Sequence, residues 1–409
     1  MNPRSFRSPF GAPAAALLAA ATLVLAACGG GESPSGAGAT PAAAVSPSTE
    51  KATAWTSGPI SGFGSVIVNG VRFDDTAAVV SDDSDRPQTR ERLKLGMMVE
   101  VDGASVSAAA GIGRALRIRF GSEIVGPVSA RDAAAGTLVV LGQTVVVTDT
   151  TAFDDSLAGG LAGVAIGQVV EVHALFDAGT GTYRATRIED EAGATAYKLR
   201  GVVSGLDTAA RTFVLGGQKI AYGGVPPASL PAQLADGMRV RVTLQTAQVD
   251  GAWVATSVSS RLRAIDDRSA GHVRGAITAV TGANGFEIDG LKVDTTRAAF
   301  PDGRDGIVVG ARVEVEGAIV GGVLMAAKVE LDDRHAPQRH AFELHGPVAS
   351  LNATARTFVL RGVTVDWSGP VVWRDGSAAT LADGARIEVK GIVSADRTKL
   401  VATRISFED

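Results

Sequence analysis

The sequence predicts an all-β protein, a tandem array of five small β-barrels of five to six short strands each, behind a non-globular N-terminal segment. Three observations lead there. A unit of about 70 residues recurs five times. Its apolar residues alternate with period two, as half-buried strands require. Stretches with helical periodicity are scarce, and Gly and Pro interrupt the few that occur. The composition agrees: 45% hydrophobic and 20% charged residues with 50 glycines among 409 describe a chain that builds cores from many short elements divided by turns.

The N-terminal segment comes first. Arg4 and Arg7 precede an Ala-rich apolar run from Pro13 to Ala27, the layout of a secretory signal peptide. The run is shorter than the roughly 20 residues a membrane-spanning helix needs. It ends in Leu25-Ala26-Ala27-Cys28, which resembles the bacterial lipobox. That resemblance implies removal of residues 1–27, acylation of Cys28 and attachment to a membrane through its lipid chains. Gly29, standing where an Asp would favour the inner membrane, implies by the same resemblance an outer-membrane location. Residues 28–54 are nearly all Gly, Ser, Ala, Pro and Thr, cannot bury enough surface to offset ordering, and are expected to form a flexible tether.

The repeats follow, at 55–121, 122–192, 193–266, 267–334 and 335–409. Each opens on a Gly followed by a small residue or Pro, at Gly58, Gly126, Gly201, Gly275 and Gly346. Each second half begins on another Gly and runs into alternating apolar residues, as in Gly96 to Val101, Gly167 to Val172, Gly237 to Val242, Gly310 to Val315 and Gly384 to Val389. Copies three and five share an almost verbatim block, Leu206 to Leu215 and Leu351 to Leu360, so the unit arose by internal duplication. Asn69-Gly70, Asp102-Gly103, Asp250-Gly251 and Asp289-Gly290 are expected in tight primed hairpin turns. Ala298-Ala299-Phe300 and Ser156-Leu157-Ala158 are expected to form single helical turns. Closing each sheet into a small barrel avoids edges exposed to the neighbours, and a five-stranded barrel of the oligonucleotide/oligosaccharide-binding (OB) type meets this. Units of this size are individually marginal, so stacking between neighbours is expected to matter.

The opening Gly58-Pro59-Ile60-Ser61-Gly62-Phe63-Gly64 to Phe73 and the ending Leu93 to Val101 resemble the domain of unknown function DUF5666, found in exported and lipid-anchored bacterial proteins. The resemblance spans roughly 58–409 in five tandem copies, is fairly specific in the first, third and fifth, and is looser in the second, where Thr144 to Asp154 departs from the short hairpin. It implies fold and location, and carries over no catalytic residue.

Little in the sequence points to chemistry. One Cys excludes a disulfide within the chain, and a net charge of −4 without a basic patch excludes a general nucleic-acid footprint. His335, His340 and His345 cluster between copies four and five, but their spacing suits neither a helix face nor a strand face, and they are expected to be surface residues. His173 and His272 have no evident acid or nucleophile partner. Acidic runs at Glu189-Asp190-Glu191, Asp266-Asp267 and Asp332-Asp333 are expected to be solvated connectors, without the dense Asp spacing of a calcium loop. Gly62-Phe63-Gly64 and Gly111-Ile112-Gly113 lack the following helix of a phosphate site. Aromatics are the remaining handle: Trp253, Trp367 and Trp373, with Tyr197 and Tyr222 nearby, could contact a ligand or partner, whereas Phe213 and Phe358 belong to the core. The expectation is a non-enzymatic, lipid-anchored envelope protein with no cofactor and no metal. It would act as a multi-repeat scaffold or as a binding protein for an envelope protein or glycan. The alternative is a solute, glycan or metal-binding lipoprotein that uses a groove between barrels.

Overall fold

The computed structural model describes residues 50–107, 111–157, 159–260, 265–331, 342–396 and 398–408. Residues 1–49, and with them the expected signal peptide, Cys28 and most of the expected tether, lie outside the described residues. Barrel 1 contains β1 (Ala54–Phe63), β2 (Val66–Val68), β3 (Val71–Asp74), β4 (Val79–Asp82), β5 (Pro87–Gln88), β6 (Met98–Ser107) and β7 (Ile112–Phe120). Barrel 2 contains β8 (Ile124–Asp132), β9 (Thr137–Val140), β10 (Gln143–Val146), β11 (Ala152–Phe153), β12 (Val169–Asp177) and β13 (Thr182–Asp190). Barrel 3 contains β14 (Tyr197–Asp207), β15 (Thr212–Leu215), β16 (Gln218–Ala221), β17 (Arg239–Val249) and β18 (Ala252–Ser260). Barrel 4 contains β19 (Arg268–Gly282), β20 (Gly285–Ile288), β21 (Leu291–Asp294), β22 (Arg312–Val320) and β23 (Val323–Leu331). Barrel 5 contains β24 (Phe342–Pro347), β25 (Ala349–Asn352), β26 (Thr357–Leu360), β27 (Val363–Asp366), β28 (Val372–Arg374), β29 (Arg386–Val393) and β30 (Leu400–Phe407).

Each barrel closes by the same ring. In barrel 1 the order is β1–β2–β3–β7–β6 and back to β1, antiparallel throughout except for the parallel pair β3 and β7. Barrels 2, 3 and 4 repeat the ring strand for strand. Barrel 5 repeats it with its first strand broken into β24 and β25. The protein is therefore all-β, with five OB-like barrels of Greek-key closure.

Local sequence explains the ring. Period-two alternation in β22 sends Val313, Val315 and Ile319 fully inside, and full burial of such a side chain is worth about 1.5–3 kcal/mol. Two-residue turns join the second and third ring strands, with positive φ at both positions of Asn69-Gly70, Leu141-Gly142, Gly216-Gly217, Asp289-Gly290 and Arg361-Gly362. The Gly that opens each second half has φ between 81° and 87° at Gly96, Gly167, Gly237, Gly310 and Gly384, a region where other residues are strained. Its amide donates to the first ring strand, as in Gly96 N to Ile60 O at 2.8 Å and Gly310 N to Ile277 O at 2.8 Å. That Gly thus launches the fourth ring strand in register with the first.

Three sequence expectations are corrected. Asp102-Gly103 is not a turn; it lies within β6 at a register shift, and equivalent shifts occur at His173/Ala174, Thr243/Leu244, Glu316/Gly317 and Lys390/Gly391. The bulge bends this long strand around the barrel. Ala298-Ala299-Phe300 forms no helical turn, because Ala299 bridges in parallel to Lys328 and closes the barrel wall. Ala52 is already buried against Ala104 and Leu116, so ordered packing starts inside the segment assigned to the tether. Among the described residues, helix is limited to short 3₁₀ turns at Arg90–Arg92, Gly160–Gly163 and Pro227–Ser229, and no helix is long and apolar enough to cross a membrane.

The barrels do not stack only on their sequence neighbours. β1 pairs in parallel with β19, Ala54 opposite Ala270 through Ser57 opposite Val273, and its far end pairs in parallel with β24. Barrels 1 and 5 share one hydrophobic core, barrels 2 and 3 share another through the pairing of β8 with β14, and Trp55 of barrel 1 enters the core of barrel 4. Where β1 meets β24, a Cβ on Gly62 would lie 2.2 Å from the Glu343 carbonyl oxygen, so packing of two barrels explains this Gly. A buried ion cluster ties barrels 1 to 4. Asp83 of barrel 1 meets Lys198 at 2.9 Å and Arg241 at 3.1 Å, and Glu123 of barrel 2 meets Arg200 at 2.6 Å and Arg239 at 2.8 Å. Arg239 also reaches Asp289 of barrel 4 at 2.8 Å and lies 4.2 Å over the Phe176 ring. Burial disfavours the charge on Arg200, but Glu123 and Asp83 outweigh it and keep the guanidinium firmly protonated.

The bulge glycines offer a direct test. A Cβ on Gly317 would lie 2.1 Å from the Met325 carbonyl oxygen, whereas one on Gly193 meets nothing within 4 Å. Gly317→Ala is expected to lower stability by about 1–3 kcal/mol, and Gly193→Ala to change it by less than about 0.5 kcal/mol. Urea unfolding of the two variants beside the parent chain measures the difference.

Candidate functional site

The parallel pairing of β1 with β19 lays barrel 4 against barrel 1, and the space left beside this seam is a cleft of about 1330 Å³. Barrel 1 gives it an uncharged wall that includes Trp55, Thr56, Asn69 and Val71. Barrel 4 supplies every charge: Glu314 and Glu316 from β22, Lys328 from β23, and Asp294 and Arg297 from the end of β21 and the loop after it. Small residues, among them Gly70, Ala270, Gly271 and Gly317, keep the floor open.

A line of hydrogen bonds crosses the seam. Asn69, in the turn between β2 and β3, donates from Nδ2 to Thr56 Oγ1 at 3.1 Å and to the Ser57 carbonyl at 2.8 Å. Thr56 Oγ1 donates in turn to the His272 carbonyl at 2.7 Å. The His272 ring meets Glu314 at 2.7 Å through Nε2, and Arg274 binds the other oxygen of the same carboxylate. Burial raises the Glu314 carboxyl, but the hydrogen bonds from His272 and Arg274 outweigh it and hold the group down at about 2. Lys328 bridges Glu316 at 3.2 Å and Glu330 at 2.9 Å. Arg297 stands exposed at the rim. The arrangement presents fixed charges of both signs beside an apolar wall.

The residues singled out from sequence fall mostly elsewhere. Trp253 is buried in barrel 3, its ring edge-on to Tyr197 at 5.5 Å and its Nε1 donating to Gln218 at 3.1 Å. Tyr222 stacks on Phe213 at 5.4 Å, and Phe213 and Phe358 are core residues. Trp367 and Trp373 meet nearly at right angles, 5.9 Å apart, half-buried against the core shared by barrels 1 and 5. These tryptophans occupy two barrels, and none lines the cleft.

The histidines require correction. His335 and His340 lie outside the described residues. His345 is not a surface residue: it is buried in β24, with Nε2 2.7 Å from Glu343 and Nδ1 2.5 Å from Glu408. Arg72 of barrel 1 binds the same Glu343. Burial lowers the His345 ring's basicity, but the two carboxylates outweigh it and raise the group above the usual His value. His272 lies in β19, and both it and His173 have acid neighbours, against the expectation that they have none. These partners are 42 and 16 residues distant in sequence and become adjacent only through strand pairing, which is why spacing did not reveal them. The acidic run at 189–191 is not a solvated connector, since Glu189 is buried against Arg187 at 2.8 Å and Asp190 accepts a hydrogen bond from Gln168 at 2.6 Å. Asp267 caps the Gly321 amide at 2.7 Å, and Asp332-Asp333 lies outside the described residues.

A family model for a domain of unknown function, DUF5666, matches residues 56–119, 125–189, 274–330 and 345–406. The second copy, whose resemblance is the looser one, is among the matches. The third, which forms barrel 3 with the same ring, is not. No curated protein matches the chain. Among solved structures, the chain is similar to drosophila Unr CSD456 at 14% identity, over 53% of this chain and 98% of that one, with a TM-score of 0.13. A superposition that poor transfers nothing to this chain.

Glu314 gives the site a pH signature. Its depressed carboxyl contributes stability that is present above the unfolded value and lost as pH falls through the folded one. Glu314→Gln is therefore expected to lower the urea midpoint at pH 7, and the gap to the parent to close as pH falls from 4.5 toward about 2.

Proposed function

The chain belongs to the DUF5666 family, and from that premise we propose a non-enzymatic cell-envelope protein, lipid-anchored through Cys28, that holds a small zwitterionic solute in the cleft between barrels 1 and 4. The observation that carries the reading is the division of that cleft into one uncharged wall and one wall bearing carboxylates and cations together. A solute with an ammonium and a carboxylate, such as an amino acid or short peptide, answers both signs at once. The ammonium goes to Glu316 and the carboxylate to Arg297, while exposed Val320 and Met325 at the lip offer apolar contact. Its volume exceeds the usual range for a single small molecule, which favours a short peptide. A glycan is favoured less, because the one tryptophan on this wall, Trp55, is itself buried in the core of barrel 4, and Trp253, Trp367 and Trp373 lie elsewhere.

A scaffold that gains reach from a row of beads loses support from the packing of barrels 4 and 5 back onto barrel 1. The lipobox-like run before Cys28 supports the anchor, and Gly29 after it supports the outer membrane. The acidic balance argues against nucleic acid as a partner.

Calorimetric titration of the full chain in detergent with alanyl-alanine, with maltose as the uncharged comparison, tests the cleft. Saturable binding of the dipeptide is expected, weakened about 10-fold or more, or about 1.4 kcal/mol, by Glu316→Gln or Arg297→Ala. Dipeptide binding that is absent, or that both variants leave intact, removes the proposal. Fractionation of cells tests the anchor: Cys28→Ala is expected to move the protein from the membrane to the soluble fraction, and retention in the membrane would contradict lipidation.

A further inference from the structure

Three histidines each lie within 4.8 Å of two carboxylates: Glu171, His173 and Glu189; His272, Glu314 and Glu316; Glu343, His345 and Glu388. Distances separate them. A hydrogen-bonded N and O stand about 2.7–3.2 Å apart. Two ligands of one tetrahedral ion, each about 2.0–2.2 Å from it, stand about 3.3–3.6 Å apart. His272 and His345 make 2.7 Å contacts to Glu314 and Glu343, too short for a cation to sit between. His173 Nε2 is 3.7 Å from Glu189 Oε2, too long for a hydrogen bond and close to the separation of two metal ligands.

The surroundings of His173 agree. Its side chain is fully buried, yet Nε2 has no hydrogen-bond partner. Its Nδ1 is 3.0 Å from the Gly121 carbonyl and also faces the Met98 amide, whose N–H donates to it at 3.3 Å. Metal binding takes the tautomer with the proton on Nδ1, donated to Gly121 in place of the contact accepted from Met98, so that the Nε2 lone pair faces the carboxylates with a carbonyl as outer partner. Strand register adds a second observation. Glu171 of β12 stands directly opposite Glu189 of β13, a like-charge cross-strand pair that is unfavourable unless a cation lies between. Arg187 compensates only in part: its Nε holds Glu189 Oε1 at 2.8 Å, and its Nη2 points to Asp154 at 3.5 Å.

We propose that Glu171, His173 and Glu189 bind a divalent transition-metal cation of the zinc class, with water completing the tetrahedron, at the junction of barrel 2 with barrel 1. One imidazole and two carboxylates suit such an ion, and the two negative charges neutralise it. Because the His173 ring abuts Gly121 and Arg187 Nη1 donates to the Leu95 carbonyl of barrel 1 at 3.3 Å, bound metal stiffens that junction.

The test is titration of the full chain, stripped with chelator and kept in detergent, with Co2+ and then Zn2+. One equivalent of Co2+ with a tetrahedral visible spectrum, displaced by Zn2+, and an upward shift of the unfolding temperature with Zn2+ are expected. Glu171→Gln, at a partly exposed position, is expected to weaken binding 10-fold or more while leaving the metal-free unfolding temperature near that of the parent. A His335→Ala/His340→Ala double variant is expected to keep the equivalent. Absence of saturable binding, binding undiminished in Glu171→Gln, or loss of the equivalent in the double variant would each overturn the assignment.

Discussion

Strand β1 has more backbone donors and acceptors than its own barrel can use, and the rest of the molecule is arranged to satisfy them. β6 covers one edge from Ala54 to Pro59. The other edge meets β2 from Ile60 onward and is taken before that by β19, while past Pro59 the edge that β6 leaves is continued by β24 at Gly62 and Phe63. An exposed strand edge of that length would recruit another chain, and here two distant barrels of the same chain occupy it. The cleft is a by-product of this solution. Parallel pairing along four residues brings two curved walls together at one seam and leaves them diverging beside it.

How much of this was legible in the sequence depended on range. The repeat, the alternation and the turn at Asp289-Gly290 were visible because strand and hairpin are local, and the Gly at 96, 167, 237, 310 and 384 stood out because one backbone conformation is demanded five times. Asp102-Gly103 misled, since the same dipeptide that makes a turn also fits a bulge where Phe73 approaches within 3.0 Å of where a Cβ would be. The partner of His272, the Glu408 partner of His345, the cleft and the ion cluster were hidden, because each is made by segments that meet only after closure or between barrels. Trp253, Trp367 and Trp373 drew attention as rare residues, yet bulky aromatics fill small barrels as readily as they line binding faces.

The ion cluster around Arg239 shows a different logic from the apolar cores. Replacing buried ion pairs with apolar residues is often neutral or stabilising, so such a cluster is better understood as selecting one arrangement. Asp83, Glu123 and Asp289 come from barrels 1, 2 and 4, and the cations that answer them all come from barrel 3. A shifted barrel would strand a buried charge. This penalises alternatives in which one OB-like unit takes the place of another of nearly identical shape, a real hazard among duplicated domains.

The pairing of β1 with β19 has a temporal side. A chain made or threaded from its N-terminus presents Thr56 long before His272, 216 residues later, can supply the acceptor that its hydroxyl meets in the finished molecule. Barrel 1 must therefore wait, nearly formed but with an open edge, while three barrels emerge behind it. Contacts of such sequence separation are slow to form, and the interval exposes the strand most apt to pair wrongly. Only when the last barrels of this chain have formed is the first strand of its first barrel covered along its length.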